Sequence, residues 1–557
     1  MKRPFSIVVL LLAAGAFAAV SPGHAVSPEE PVVSLPAPCP CPSDLAWDGR
    51  DLWVADWNRA VLYRLGAADG SVRDSLRAPG FRPQGLAWAD GHLYVSDDQA
   101  KRIYQVDPRD GTVLASYETP AEGPAGLASD GETLWLADRA AQTIYRLIPR
   151  DGTILNYFRS PHRDPRGLAH DGAYLWVSDR LKDEIYMITP DDGTVIAVLA
   201  SPGPFPSGLA YGKDRLWVAD FETRTIDALA VRDGDPFVTR DWRESYVTFT
   251  HRLRNDGPDS LATADFYVAF PQDSLENQIL LSPTRFFPAG FETVTDRWDL
   301  RQAHYHFDGV PPGQTVGVGY VAHARIADLR YVIFPEKVGS LRSVPKAIRD
   351  KYLVDGTRYR IDDPLIRRTV ETAVGDEENP YWIARKIFNW VIQALEYEMV
   401  GGWDIPTTLI KRGTGSCSEY TFLFIAMARA AGLPARYEAG MAVRGDDASV
   451  DEAFHRWAEV YLPNYGWVPV DCNRGDQEWP ADQATGIGMV SNRLLITTLG
   501  GGDSETLGWT YNCQPSWTFR GRASVVEENF AVWRRAKAEG EPPPLEETSC
   551  MLPVVKP

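Results

Sequence analysis

Three residues near the C-terminal end have the types and settings that acyl transfer needs: Cys417, His455 and Asp471. Cys417 lies in Gly413-Thr-Gly-Ser-Cys-Ser-Glu-Tyr, directly before a run of good helix formers that ends at Gly432 and Pro434. That pattern puts the cysteine at or near a helix N-terminus, where unpaired N–H groups and the helix dipole favour the thiolate. His455 opens the alternating run His-Arg-Trp-Ala-Glu-Val-Tyr-Leu, and Asp471 ends Gly466-Trp-Val-Pro-Val-Asp. Two antiparallel strands joined near Pro463-Asn464-Tyr465 would set the imidazole beside the carboxylate. A thiolate, an imidazole that moves the proton and a carboxylate that orients the imidazole form a general nucleophilic arrangement. His455 is the only histidine after residue 323, so no other imidazole in this region can be the base. The alternative is a structural cysteine and a surface histidine, which would not require this order of residues.

The elements that must carry these residues follow from periodicity. Asp363-Pro364 and Asn379-Pro380 each read as an N-cap followed by proline at the first helical position. The second opens a helix to about Tyr397, with Ile383, Ile387, Trp390, Val391 and Ala394 as its apolar stripe. Trp403 has two readings, an indole N–H donor at the site or a packing residue. The acidic stretch Asp446–Glu452 precedes His455 and reads as a mobile lip. A calcium ion there is the one cofactor to weigh, against a solvated loop.

Gly-Ser-Cys-Ser-Glu-Tyr, His-Arg-Trp-Ala-Glu-Val-Tyr, Gly-Trp-Val-Pro-Val-Asp and Ala430-Ala-Gly-Leu-Pro-Ala-Arg436 resemble the transglutaminase-like domain of exported bacterial proteins. The resemblance covers roughly residues 345–500. It implies a papain-like α+β core with Cys417 as nucleophile, His455 as general base and acid, and Asp471 as orienting residue. It also implies a peptide or protein substrate attacked at an amide through a thioester; apart from the calcium weighed above, no cofactor is expected. Hydrolysis is the expected outcome and cross-linking by a primary amine the alternative. A scaffold protein with a silent C-terminal domain is the alternative of another class; the intact triad argues against it.

The first third of the chain repeats. Leu45, Leu86, Leu127, Leu168 and Leu209 are 41 residues apart. Trp53, Tyr94, Trp135, Trp176 and Trp217 keep that step, as do Asp56, Asp97, Asp138, Asp179 and Asp220. Each unit has four short strand-like runs broken by Asp-Gly or Pro, the pattern of a β-propeller blade. The units resemble NHL-type repeats. Residues 31–38 match the outermost strand of a unit, and the last unit lacks that strand. The expectation is therefore a five-bladed β-propeller over 31–235, closed by its N-terminal strand, which removes two sheet edges. The Asp column is expected to accept backbone N–H groups, and the Trp/Tyr column to pack. A protein or polymer ligand on a propeller face is the expected further partner.

Residues 236–340 read as an immunoglobulin-like β-sandwich of short strands. His304 and His306 there could make half a metal site, although a surface strand is the simpler reading and no metal is expected. Residues 341–540 form the catalytic unit, and 541–557 a flexible tail. Residues 1–25 read as a signal peptide, from Lys2, Arg3 and the apolar run Phe5–Val20. That implies a secreted or periplasmic protein with no membrane segment after cleavage. The formal net charge of -18 argues against nucleic acid and anionic membranes as partners. The six cysteines leave a disulfide between Cys472 and Cys513 as the favoured pairing.

Overall fold

The computed structural model describes residues 27–399, 403–445 and 448–536. The expected signal peptide and C-terminal tail lie outside the described residues.

The repeats form five four-stranded antiparallel sheets. Four are built from consecutive strands. The fifth takes Pro206–Gly212, Arg215–Asp220 and Thr225–Leu229, and its outer strand is Pro31–Pro36, with Leu35 opposite Ile226. The first strand of each sheet touches the first strand of the next, and that of the fifth touches that of the first, so the contacts close a ring.

Two sequence columns explain the close approach. Gly85, Gly126, Gly167 and Gly208 face their neighbours so tightly that a Cβ would strike backbone atoms of the next sheet. In the first unit this position is Asp44, fully buried. Its carboxylate accepts N–H groups from Leu86 at 2.8 Å, Leu127 at 3.1 Å and Leu209 at 3.2 Å, tying three sheets together. Burial pushes its pKa well up, against these bonds. The other Asp column does as its spacing predicts. Asp138, for example, is buried and accepts from Glu122, Gly123, Ala140 and Ala141 backbone N–H groups. Trp53, Tyr94, Trp135, Trp176 and Trp217 are all buried packing residues.

The middle region consists of two sheets around a shared apolar core that includes Phe249, Phe266 and Tyr320. One is centred on the long strands Phe237–Asn255 and Thr315–Tyr331. The other holds Glu292–Thr295, Arg301–Val310 and Leu261–Ala269. The boundary drawn at 340 does not contain these sheets. Val525–Arg535 pairs with Phe237–Asn255, and Cys513–Phe519 pairs with Leu261–Ala269. Short apolar strands carry no mark of which sheet they join, so the sequence could not assign them.

His304 and His306 do share one side of their strand, where both reach the Asp265 carboxylate at 3.0 and 2.8 Å. Among the described residues no group of three His, Cys, Asp or Glu could hold a metal. Cys472 and Cys513 are both free, in two separate cores, so the disulfide expected between them is not formed.

In sequence, an α+β unit is inserted between Thr315–Tyr331 and Cys513–Phe519. The helices Pro364–Val374 and Pro380–Ala394 start where Asp363 and Asn379 cap Leu365 and Tyr381 N–H, and the second ends three residues before Tyr397. They pack on the helix Cys417–Ala430, which rests on a sheet ordered 466–470, 455–462, 435–442, 494–500. Trp479 and the short helix Pro480–Ala484 seat this unit on the third and fourth repeat sheets: the Arg159 guanidinium lies 3.7 Å from the centre of the Trp479 ring, Ala481 donates to Pro161 O, and the helix contacts Val195–Ala200.

Candidate active site

The helix Cys417–Ala430 is buried on nearly every side from Ser418 to Arg429. It is therefore central rather than amphipathic, and its N-terminus is fixed from within. Glu419, 1% exposed, does the fixing. One oxygen accepts the Ser416 N–H at 2.8 Å; the other accepts Asp404 N–H at 3.0 Å and the Arg412 guanidinium at 2.9 Å. Cys417 is the first helical residue, only partly buried. The Thr421 hydroxyl bonds Cys417 O at 2.8 Å and Arg456 O at 3.1 Å, pinning this turn to the neighbouring strand.

His455 opens that strand, and Asp471 follows directly on the antiparallel strand Gly466–Val470. The imidazole Nε2 lies 2.7 Å from Asp471 Oδ2, with the ring side chain 15% exposed. Nδ1 is thereby left to face Cys417, and the imidazole acts on the thiol strongly enough to shift its pKa. Trp457 stacks near the imidazole, centroids 5.7 Å apart, and its own N–H is held by Glu438 at 2.6 Å. The second oxygen of Asp471 accepts the Arg474 N–H at 3.0 Å.

These contacts set the charges. Burial acts to raise the Cys417 pKa, but the bond and charge of His455 outweigh it, with the Arg456 N–H and cation adding to them, and the thiol falls below its ordinary 9.0. Burial acts to lower the His455 pKa; the Asp471 charge and bond and the Cys417 contact reverse this and raise it to about 10. Burial would raise Asp471, but the same imidazole and the Arg474 backbone hold it below its usual range. The arrangement favours a thiolate and an imidazolium side by side.

Arg456 is a residue the sequence reading passed over. It is fully buried, and the rings of Trp403, Phe422, Tyr437 and Tyr511 lie 4.8, 4.8, 4.7 and 4.4 Å from its guanidinium carbon. One nitrogen donates to Trp509 O at 2.7 Å. A cation held among ring faces next to a thiolate stabilises that negative charge without competing for its lone pair. The only sequence signal was the density of aromatic residues nearby; residue type alone does not show that an arginine is buried. Trp403 is part of this cage and so takes its packing reading.

The acidic lip also changes character. Ala448–Asp451 is a strand paired with Val525–Arg535, and Asp451 is buried, accepting from Ala442 and Phe454 N–H groups and from Arg444. Asp446 lies outside the described residues. Asp451 is thus a structural anchor rather than a mobile ligand, while Glu452 beside it is exposed.

Residues 367–472, which include all three candidate residues, match the model of the transglutaminase-like superfamily. A transglutaminase-like domain therefore occupies this part of the chain. The chain is 30% identical over 134 residues to an uncharacterized protein of Haemophilus influenzae, a match that covers 20% of this chain and 36% of that protein. The chain thus spans about a third of the curated relative it matches. Among solved structures it is similar to a candidate cysteine protease from Cytophaga hutchinsonii, at 16% identity and TM-score 0.39, over 55% of this chain and 95% of that one. It is also similar to glutaminyl cyclase of Myxococcus xanthus, at 12% identity and TM-score 0.33, over 36% and 94%. A third is virginiamycin B lyase of Staphylococcus aureus, at 21% identity and TM-score 0.25, over 35% and 67%. Likenesses of this size bear on neither activity nor ligand.

Proposed function

We propose that the protein is an exported transglutaminase-like cysteine enzyme that hydrolyses amide bonds of peptides or proteins. The observation that carries this is the imidazole of His455, 2.7 Å from Asp471 and beside Cys417 at the start of its helix, whose thiol it holds below the ordinary range. The Cys417 thiolate attacks the amide carbon, and the C–N bond breaks as His455 gives its proton to the leaving amine. A thioester remains. Water then attacks it, passes a proton to His455 and releases the acid, restoring the thiolate. Asp471 holds the imidazole in orientation throughout. The Cys417 backbone N–H is the natural first donor to the oxyanion. Partial exposure of Cys417 and His455 leaves water access to the thioester, which favours hydrolysis over transfer to an amine.

The repeat sheets form a five-bladed β-propeller in this reading, and the closed ring of contacts supports it. The propeller serves as the recognition module, and the middle sheets as an immunoglobulin-like spacer. Export rests on Lys2, Arg3 and the apolar run behind them.

The test compares the mature chain with Cys417→Ala on casein, reading ammonia release, amine incorporation and new peptide termini. New termini without incorporation, absent in the variant, are expected. Incorporation that vanishes in the variant would assign transamidation instead. Silence in all three, with Cys417 inert to iodoacetamide, would overturn the enzymatic reading.

A further inference from the structure

At the centre of the ring of repeat sheets lies a cavity of about 210 Å³. Its lining comes from positions that follow the constant columns directly. After the Pro column at 42, 83, 124, 165 and 206 come Ser43, Gln84, Ala125, Arg166 and Ser207. After the Asp column come Trp57, Asp98, Arg139, Arg180 and Phe221. The constant columns close turns and pack sheets in all five units. The adjoining columns hold a different residue in almost every unit. A position that served only the repeat would repeat; these have been freed from the repeat while their neighbours have not.

The chemistry at these positions is cationic and aromatic. Arg82, Arg139, Arg166 and Arg180 all line the cavity. Facing them are two carboxylates. Asp98 takes Arg139 at 2.9 Å and Lys101 at 2.9 Å. Asp164 takes Arg180 at 2.6 Å and Arg166 at 3.2 Å. Among the lining side chains four arginines stand against one aspartate, in a chain whose formal net charge is -18. Arg166 is 13% exposed, and its buried Nε has no hydrogen-bond partner. A buried N–H of this kind is costly unless something fills it. Aromatic faces stand beside the cations: Arg82 lies 5.4 Å from the Trp57 ring centre, Arg180 lies 5.1 Å from that of Phe205, and Phe205 packs on Phe221 at 5.1 Å. The Asp44 carboxylate at the ring axis is fully buried and accepts three backbone N–H groups, so it does not neutralise the cavity.

We propose that this cavity binds a carboxylate or phosphate group carried on an aromatic or apolar body. Guanidinium forks match planar and tetrahedral oxyanions, and the arginines here are pre-set by Asp98 and Asp164 rather than free to collapse. Trp57, Phe205 and Phe221 provide the faces against which the rest of the ligand lies. The site is independent of Cys417 and its chemistry. Its size suits a terminal group or small molecule, so a larger ligand would enter by one end.

The probes are 3-phenylpropionate, phenyl phosphate and the neutral 3-phenylpropanamide, titrated calorimetrically into the mature full-length chain. Saturable binding of at least one anion and none of the amide is expected, and the stronger anion identifies the group. Arg180→Gln and Arg139→Gln should each weaken it by ~10-fold to ~100-fold, the loss of one charged hydrogen bond. Arg82→Gln, at an exposed position, gives a second reading if either of the others fails to fold. Failure of both anions to bind in the millimolar range, or binding unchanged in all three variants, would overturn the proposal. Cys417→Ala should bind as the wild type does, which separates this result from that of the enzymatic reading.

Discussion

The repeat region and the cysteine region both bury aspartates, and they use them differently. Asp138 accepts four backbone N–H groups, none of which can change protonation near neutral pH. Asp471 accepts one backbone N–H and one imidazole, and the imidazole can gain or lose a proton. Burial and residue type are the same in both. The partner decides whether a carboxylate closes a turn or holds a base.

That contrast can be broken by experiment. The largest expected effect is at the cysteine region. Cys417→Ala should remove amide hydrolysis, and Asp471→Asn should lower turnover by ~10²-fold to ~10⁴-fold by analogy with other orienting carboxylates. Thermal unfolding should show both variants still folded. Asp138→Asn should do the reverse: activity per folded molecule unchanged, and urea unfolding less stable by about 1–3 kcal/mol, because an amide cannot accept on both sides. Comparable loss of turnover in Asp138→Asn would erase the distinction.

The pH dependence sharpens it further. Iodoacetamide should alkylate Cys417 with a midpoint below 9.0, and His455→Ala should move that midpoint upward. Activity should fall as pH rises through about 10, where the imidazolium loses its proton. His455 has a raised pKa, so its contribution to stability is full below about 6.5 and is lost on the way to about 10. Asp471 has a lowered pKa; its contribution holds above about 3.8 and is lost as pH falls through its folded value. The smallest effect should come from the exposed contact between the two regions. Arg159 and Glu478 lie 3.0 Å apart with side chains 45% and 70% exposed. A double-mutant cycle on this pair should give less than about 1 kcal/mol, and less again in high salt.

Much of the candidate site was legible because its chemistry sits in short local motifs. Gly-rich turn, cysteine and helix formers are contiguous, and the histidine and aspartate strands are separated by a tight turn. Helix caps at Asp363 and Asn379 were legible for the same reason. What escaped the sequence depends on distant partners. Arg456 is caged by rings from positions 403 to 511, and no local pattern reports that. Asp451 belongs to an acidic run that reads as solvated, yet pairing of its strand with Val525–Arg535 buries it. Cys472 and Cys513 had matching chemistry and separate cores.

The return of Val525–Arg535 to the long strand Phe237–Asn255 has a consequence for the order of events in synthesis. The two partners are separated by the entire cysteine region. Each repeat sheet but the fifth can close as soon as its own four strands have emerged, a local and rapid step. The middle sheets cannot be completed until Val525–Arg535 has been synthesised. Until then the growing chain exposes the unpaired edge of Phe237–Asn255, a template open to any other extended segment. The middle and cysteine regions therefore mature together and late, on repeat sheets that are largely formed.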